Sequence, residues 1–165
     1  MNLFTVENKR KESCAEFLND AYKIYVQTIE FLSRLSARYS RIMAADIAST
    51  AFEVLKYAES ANAIYPANEV RVAMREECLL KAKASLESLD VALSVCYDVL
   101  MKNPSGAFTS QSGKDVAPAD AQRKLDHMAQ SLGELIDIEG KMLRKVIKSD
   151  KERLKKEQKA VAENS

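Results

Sequence analysis

Tryptophan is absent from this 165-residue chain, and it contains only four glycines, three prolines and one histidine. So few turn-formers in so long a chain mean few turns and long elements, and strands would need more punctuation than this. No run of about 18 uninterrupted apolar residues occurs, so no membrane span is expected. The opening Met1-Asn2-Leu3-Phe4-Thr5-Val6, followed by Glu7 and Lys9-Arg10-Lys11, has the wrong order for a signal peptide, and a soluble, cytoplasmic protein is expected. Of the three cysteines, Cys78 and Cys96 fall on one predicted helix, about 27 Å apart along its axis at roughly 1.5 Å per residue. A disulfide needs Cα atoms within about 7 Å. Cys14 and Cys96 lie on apolar stripes and read as small buried hydrophobes.

The motifs of catalysis and metal binding are missing too. His127 is the single histidine, and the residue three before it is Lys124, so the paired Glu-x-x-His motifs of a di-iron bundle are not available. There is no Cys-x-x-Cys for zinc, no glycine-rich phosphate loop and no strand-turn-helix nucleophile elbow. No enzyme, cofactor or metal is expected.

What the chain does have is a hydrophobic content of 47%, enough for a core, and an abundance of Ala, Leu, Glu and Lys, which lose little on entering a helix. Cys14, Phe17, Ala21, Ile24, Thr28, Phe31 and Leu35 alternate steps of three and four, the mark of a helix packed along one seam. A second helix begins near Ser40 as N-cap, buries Met43, Ile47, Thr50, Val54, Tyr57 or Ala58, and Ala61, and stops at Pro66. The third starts near Asn68; its seam is Val72, Leu79, Ala82, Leu86, Leu89, Leu93, Cys96 and Leu100, with Arg75 as the polar interruption. Asn103 to Pro118 holds two glycines and two prolines and reads as a flexible loop, long beside bundle connections of about 2–8 residues. The fourth helix opens near Ala119-Asp120 and carries Leu125, Met128, Leu132, Leu135, Met142 or Leu143, and Val146 inward. Gly133 and Gly140 share a face on it, where close packing of another helix would offset their cost of about 1 kcal/mol each.

The expected fold is therefore all-α, a single domain over 1–165. It is an antiparallel four-helix bundle in up-down-up-down order, with helices at about 9–35, 40–64, 68–102 and 119–154. The loop is 103–118, and 155–165 is a fraying tail.

Charge is unevenly spread beneath a net of +1. Nine acids and five bases lie between Asp46 and Asp98, a net of −4, whereas nine bases and three acids lie between Lys141 and Lys159, a net of +6. Such asymmetry marks either a surface that meets nucleic acid or an acidic partner, or a solvated helix end. Arg34, Arg38 and Arg41 surround the first turn with Tyr39 among them. They form either a cationic lobe with a stacking aromatic for phosphates and bases, or a cluster that neutralises helix-end carbonyls. Asn62 is placed to cap carbonyls at the end of the second helix or to bond across to Arg75.

Four stretches carry a family resemblance: Arg38-Tyr39-Ser40-Arg41, Ser60-Ala61-Asn62-Ala63-Ile64-Tyr65, the Arg71/Arg75 helix leading to Ala82, and Ser149-Asp150-Lys151-Glu152-Arg153. Over residues 12–154 the chain resembles a family of small bacterial four-helix-bundle proteins. That family includes the accessory variability determinants of diversity-generating retroelements and the proteins encoded in intervening sequences of ribosomal RNA genes. The resemblance implies a barrel-shaped homopentamer that binds a reverse transcriptase, contacts RNA and DNA, and supports mutagenic copying without chemistry of its own. The residues it implies for nucleic-acid or partner binding are Arg38 and Arg41 at the first turn, Arg71 and Arg75 on the third helix, and Arg144, Lys145 and Arg153 on the fourth. The near-neutral net charge and the acidic middle of the chain motivate the other reading, a self-assembling scaffold for a protein partner with no nucleic-acid role.

Overall fold

The computed structural model describes residues 15–108 and 117–163. Four long helices account for most of them, and the fold is all-α. Helix α1 spans Glu16–Arg34 and buries Phe17, Ala21, Ile24, Thr28 and Phe31, the three-four seam read from the sequence. Cys14, the first member of that seam, and residues 9–14 lie outside the described residues.

The start of the second helix differs from expectation. Helical geometry begins with a short turn, Ala37–Tyr39, passes through a π-helical turn, Ser40–Ala44, and continues as α2, Ala45–Ala63. Ser40 has φ −56° and ψ −43°, so it is helical and not an N-cap, which needs extended backbone. Ser36 occupies the capping place instead, and its carbonyl accepts from the Ser40 N–H at 2.9 Å. Its buried hydroxyl makes no hydrogen bond among the described residues. On α2 the core side takes Ile47, Ala51, Val54, Leu55, Ala58 and Ala61. Thr50, placed inward by the sequence pattern, is half-buried and bonds back to the Asp46 carbonyl at 2.9 Å.

Helix α3, Glu69–Met101, opens on Asn68, whose Oδ1 accepts from the Arg71 N–H at 3.0 Å. That bond satisfies one of the free donors at a helix start. After a 3₁₀ turn, Pro104–Gly106, Ala107 is buried, its carbonyl accepting from the Ser36 N–H at 2.9 Å. Leu35 and Phe108 form an isolated antiparallel bridge beside it. The first residues of the 103–118 loop are thus tied to the α1–α2 turn, while 109–116 lie outside the described residues. Helix α4, Pro118–Glu163, has proline at its first position, where the missing N–H costs nothing. It continues past Leu154 to Glu163, within the stretch read as a tail.

Helices α1 and α3 each pack against both α2 and α4, which sets α1 and α3 on the diagonal of the bundle. No helix is long and apolar enough to cross a membrane among the described residues. Cys96 is fully buried, and burial pushes its thiol up to about 11. At Gly140 a Cβ would lie 3.7 Å from Leu86 of α3, an ordinary contact, whereas at Gly133 nothing lies within 4 Å. The close helix approach expected over both glycines is therefore found at neither: Gly140 meets an ordinary side-chain contact, and Gly133 faces open space.

Glu139 of α4 is a core residue that the periodicity reading passed over. It is 0% exposed, and neither carboxylate oxygen has a hydrogen-bond partner among the described residues. Loss of solvation, with the nearby charge of Asp20 adding to it, pushes its pKa up to about 8.

Candidate nucleic-acid and partner interface

Arg75, the polar interruption of the α3 seam, reaches the end of α2. Its Nη1 donates to the carbonyl oxygens of Ala61 at 2.6 Å and Ile64 at 3.1 Å, two acceptors left open where the helix stops. Its Nε donates to Asp150 of α4 at 2.8 Å, a pair whose side chains are only 12% and 16% exposed. The guanidinium also lies over the Phe17 ring of α1 at 5.6 Å from the centroid. One side chain thereby joins all four helices. Asn62, the sequence candidate for this capping role, is exposed.

Arg153 lies one helical turn along α4 from Asp150. It donates to the Tyr65 hydroxyl at 3.0 Å and to Glu157 at 2.9 Å, and its guanidinium stacks over the Tyr65 ring at 5.2 Å. The Tyr65 and Glu157 bonds raise its pKa further above the ordinary arginine range. Lys151 pairs with Glu76 of α3 at 2.6 Å. Three of the stretches that carry the family resemblance, 60–65, 71–82 and 149–153, therefore meet in one hydrogen-bonded cluster at the α2–α3 turn. Arg71 is exposed on its border.

The fourth stretch lies elsewhere. Arg38 and Arg41 are exposed at the α1–α2 turn, separated from Arg75 by the length of α2, about 28 Å at roughly 1.5 Å per residue. Tyr39 is half-buried against the core, so it is not an open platform for base stacking. Arg144 and Lys145 are exposed midway along α4, and the positive charge of Arg144 helps hold the Glu87 carboxyl below its usual range, after the larger effect of Lys83. The seven candidate residues thus fall into three places. Arg71, Arg75 and Arg153 share the α2–α3 end, Arg144 and Lys145 are on α4, and Arg38 and Arg41 mark the far turn.

The basic stretch of α4 divides in the same way. Asp150 and Lys151 are held by α3 and Arg153 by Tyr65 of the α2–α3 turn, while every residue from Lys155 to Ala160 is exposed. Lys155, Lys156 and Lys159 therefore project on a helical arm that leaves the bundle next to the cluster. Among the described residues no group of three or more His, Cys, Asp and Glu is placed to hold a metal ion. His127 is exposed.

Two exposed apolar rows complete the surface. Tyr22, Val26 and Ile29 form one along α1, and Val91, Val95 and Val99 form the other along α3. Being on the diagonal helices, they face away from each other. No protein-family model, curated protein or solved structure matches the chain.

Proposed function

We propose that this protein is a nonenzymatic accessory subunit of a diversity-generating retroelement, which binds a reverse transcriptase and nucleic acid during mutagenic retrohoming. The observation that carries this reading is the convergence of three resemblance-bearing stretches at the α2–α3 end, from which the basic arm of α4 projects. In this proposal Arg75 organises that end, while Arg71, Arg144, Lys145 and the arm lysines meet phosphates. Affinity gained from phosphate contacts is sequence-independent and falls with salt.

The proposal includes antiparallel, up-down-up-down helix order. Tyr97 donates to Asp126 at 2.6 Å near one end of α3, and Arg75 pairs with Asp150 near the other, which supports that order for α3 and α4. It also includes a cytoplasmic homopentamer. Of the two apolar rows, that on α1 suits a head-to-tail contact in which it meets a different face of the next protomer, the kind of contact that closes into a ring. A ring would gather five copies of the basic arm and raise the local positive field above what a net charge of +1 suggests. The second reading, a self-assembling scaffold for a protein partner without nucleic acid, is favoured by the same apolar rows.

Charge reversal separates the two. Arg144→Glu with Lys145→Glu alters two exposed residues whose side chains hold no hydrogen bond among the described residues. The double variant is expected to keep its helical circular dichroism, bind a structured RNA about tenfold more weakly at low salt, and show a shallower salt dependence. A filter-binding assay gives the RNA result, and a pull-down gives the reverse transcriptase result. Unchanged binding in both would remove the retroelement reading and leave the scaffold.

A further inference from the structure

Between α3 and α4 a slot of about 260 Å³ opens to the surface. Phe31 of α1, Leu93, Leu125, Leu132 and Ile136 line it, and Gly133 gives it room because no side chain fills that part of the groove. The volume is below the roughly 300–1,000 Å³ of pockets that bury drug-sized ligands, and suits one or two apolar side chains. Its mouth carries Asp90, Ser94 and Asp98, spaced by four along α3. Neither aspartate makes an ion pair or hydrogen bond among the described residues. Beyond them lies the row of Val91, Val95 and Val99, 63%, 55% and 37% exposed. Helix propensity does not account for three β-branched residues on an exposed helical face.

An apolar slot, a line of uncommitted carboxylates and an apolar row lie side by side along one helix. The two carboxylates are two turns apart, about 12 Å at roughly 1.5 Å per residue. We propose that this α3 surface seats an amphipathic basic helix of a partner protein, with an apolar side chain in the slot and Lys or Arg residues two turns apart over Asp90 and Asp98. Nucleic acid is repelled by that rim. Neither the basic arm nor the apolar α1 face of a second copy fits the chemistry. Its basic arm offers only Lys, Glu, Gln and Ala between Lys155 and Ala160. On the apolar α1 face the bases Lys23 and Arg34 are already paired, with Asp20 and Glu30. The proposal stands on α3 and is independent of whether α4 binds RNA.

The test uses the full chain and a fluorescein-labelled, helix-forming peptide bearing Leu and Phe on one face and Lys at two-turn spacing. Fluorescence anisotropy is expected to show binding at least about tenfold tighter than for the same peptide with Glu in place of Lys, or for a scrambled sequence of equal composition. Asp90→Lys with Asp98→Lys should lower affinity about tenfold by placing like charges together. Gly133→Leu, which fills the slot and favours the helix, should do the same without loss of helicity. Equal binding of the scrambled peptide, or unchanged binding by both variants, would overturn the proposal. A drop in the protein's own oligomeric mass on charge reversal would also overturn it, by assigning the surface to a second copy.

Discussion

Replacing Arg75 with Met is expected to destabilise the bundle by about 3 kcal/mol, because it leaves Asp150 without its partner in a site closed from most solvent. The same change strips the Ala61 and Ile64 carbonyls of their donor. Methionine keeps much of the arginine stem, so the loss reports mainly the guanidinium's bonds and its contact with Phe17. For a chain of this size a loss of about 3 kcal/mol lowers the thermal midpoint by roughly 6–12 °C. Arg75→Lys should recover only part of it, since an ammonium is a point charge without the planar fork that reaches a carboxylate and two carbonyls together. Urea unfolding followed by circular dichroism, in a double-mutant cycle with Asp150→Asn, isolates the pair. A midpoint unchanged in Arg75→Met would contradict the assignment of this side chain as the tie among the four helices.

Stability should fall as pH rises, and Glu139 is the reason. Its folded pKa is raised to about 8 from 4.5, so between those values the folded state holds a proton that the unfolded state has released. Where the folded state binds more protons, stability declines with pH. This group's effect is absent below the unfolded value and complete above the folded one. Between pH 6 and pH 8 the decline should reach about 2 kcal/mol. Glu139→Gln should flatten that dependence. Glu139→Leu should both flatten it and stabilise the protein at pH 8 by a similar amount or more, because an unpaired buried carboxyl gives way to an apolar group. Denaturant midpoints at the two pH values measure both effects. A wild-type slope equal to that of Glu139→Gln would place the carboxyl in contact with water or a partner.

The helices were legible in the sequence because their seams alternate three and four, and Phe17, Ala21, Ile24, Thr28 and Phe31 are buried as that alternation requires. Asn68 was legible as a start because its side chain has one common use at a helix end, whereas Pro118, read as the last residue of the loop, is the first of α4. Ser40 misled because serine four residues further back, at Ser36, satisfies the same pattern, and only the backbone angles separate them. Glu139 was within reach. Leu132, Ile136, Glu139 and Leu143 step by four, three and four, all four are buried, and a reading that follows spacing alone lands on the glutamate.

The candidate site was less legible. Arg75 stood out as a charge on an apolar seam, but its partners are 11, 14 and 75 residues away in sequence. Such a network arises from packing and has no local signature. The α3 slot depends on what is missing at Gly133, and a gap between two helices leaves no periodic mark on either. Tyr39, set among arginines in sequence, packs against the core, and the charges around it give no sign of that.

The mass of the purified protein by light scattering, with and without a short structured RNA at low and moderate salt, shows whether the protein assembles and takes up nucleic acid. A particle near five times 18.4 kDa is expected, gaining the mass of RNA at low salt and releasing it at moderate salt. A monomer whose mass is unchanged by RNA at either salt would remove both the proposed assembly and its nucleic-acid role.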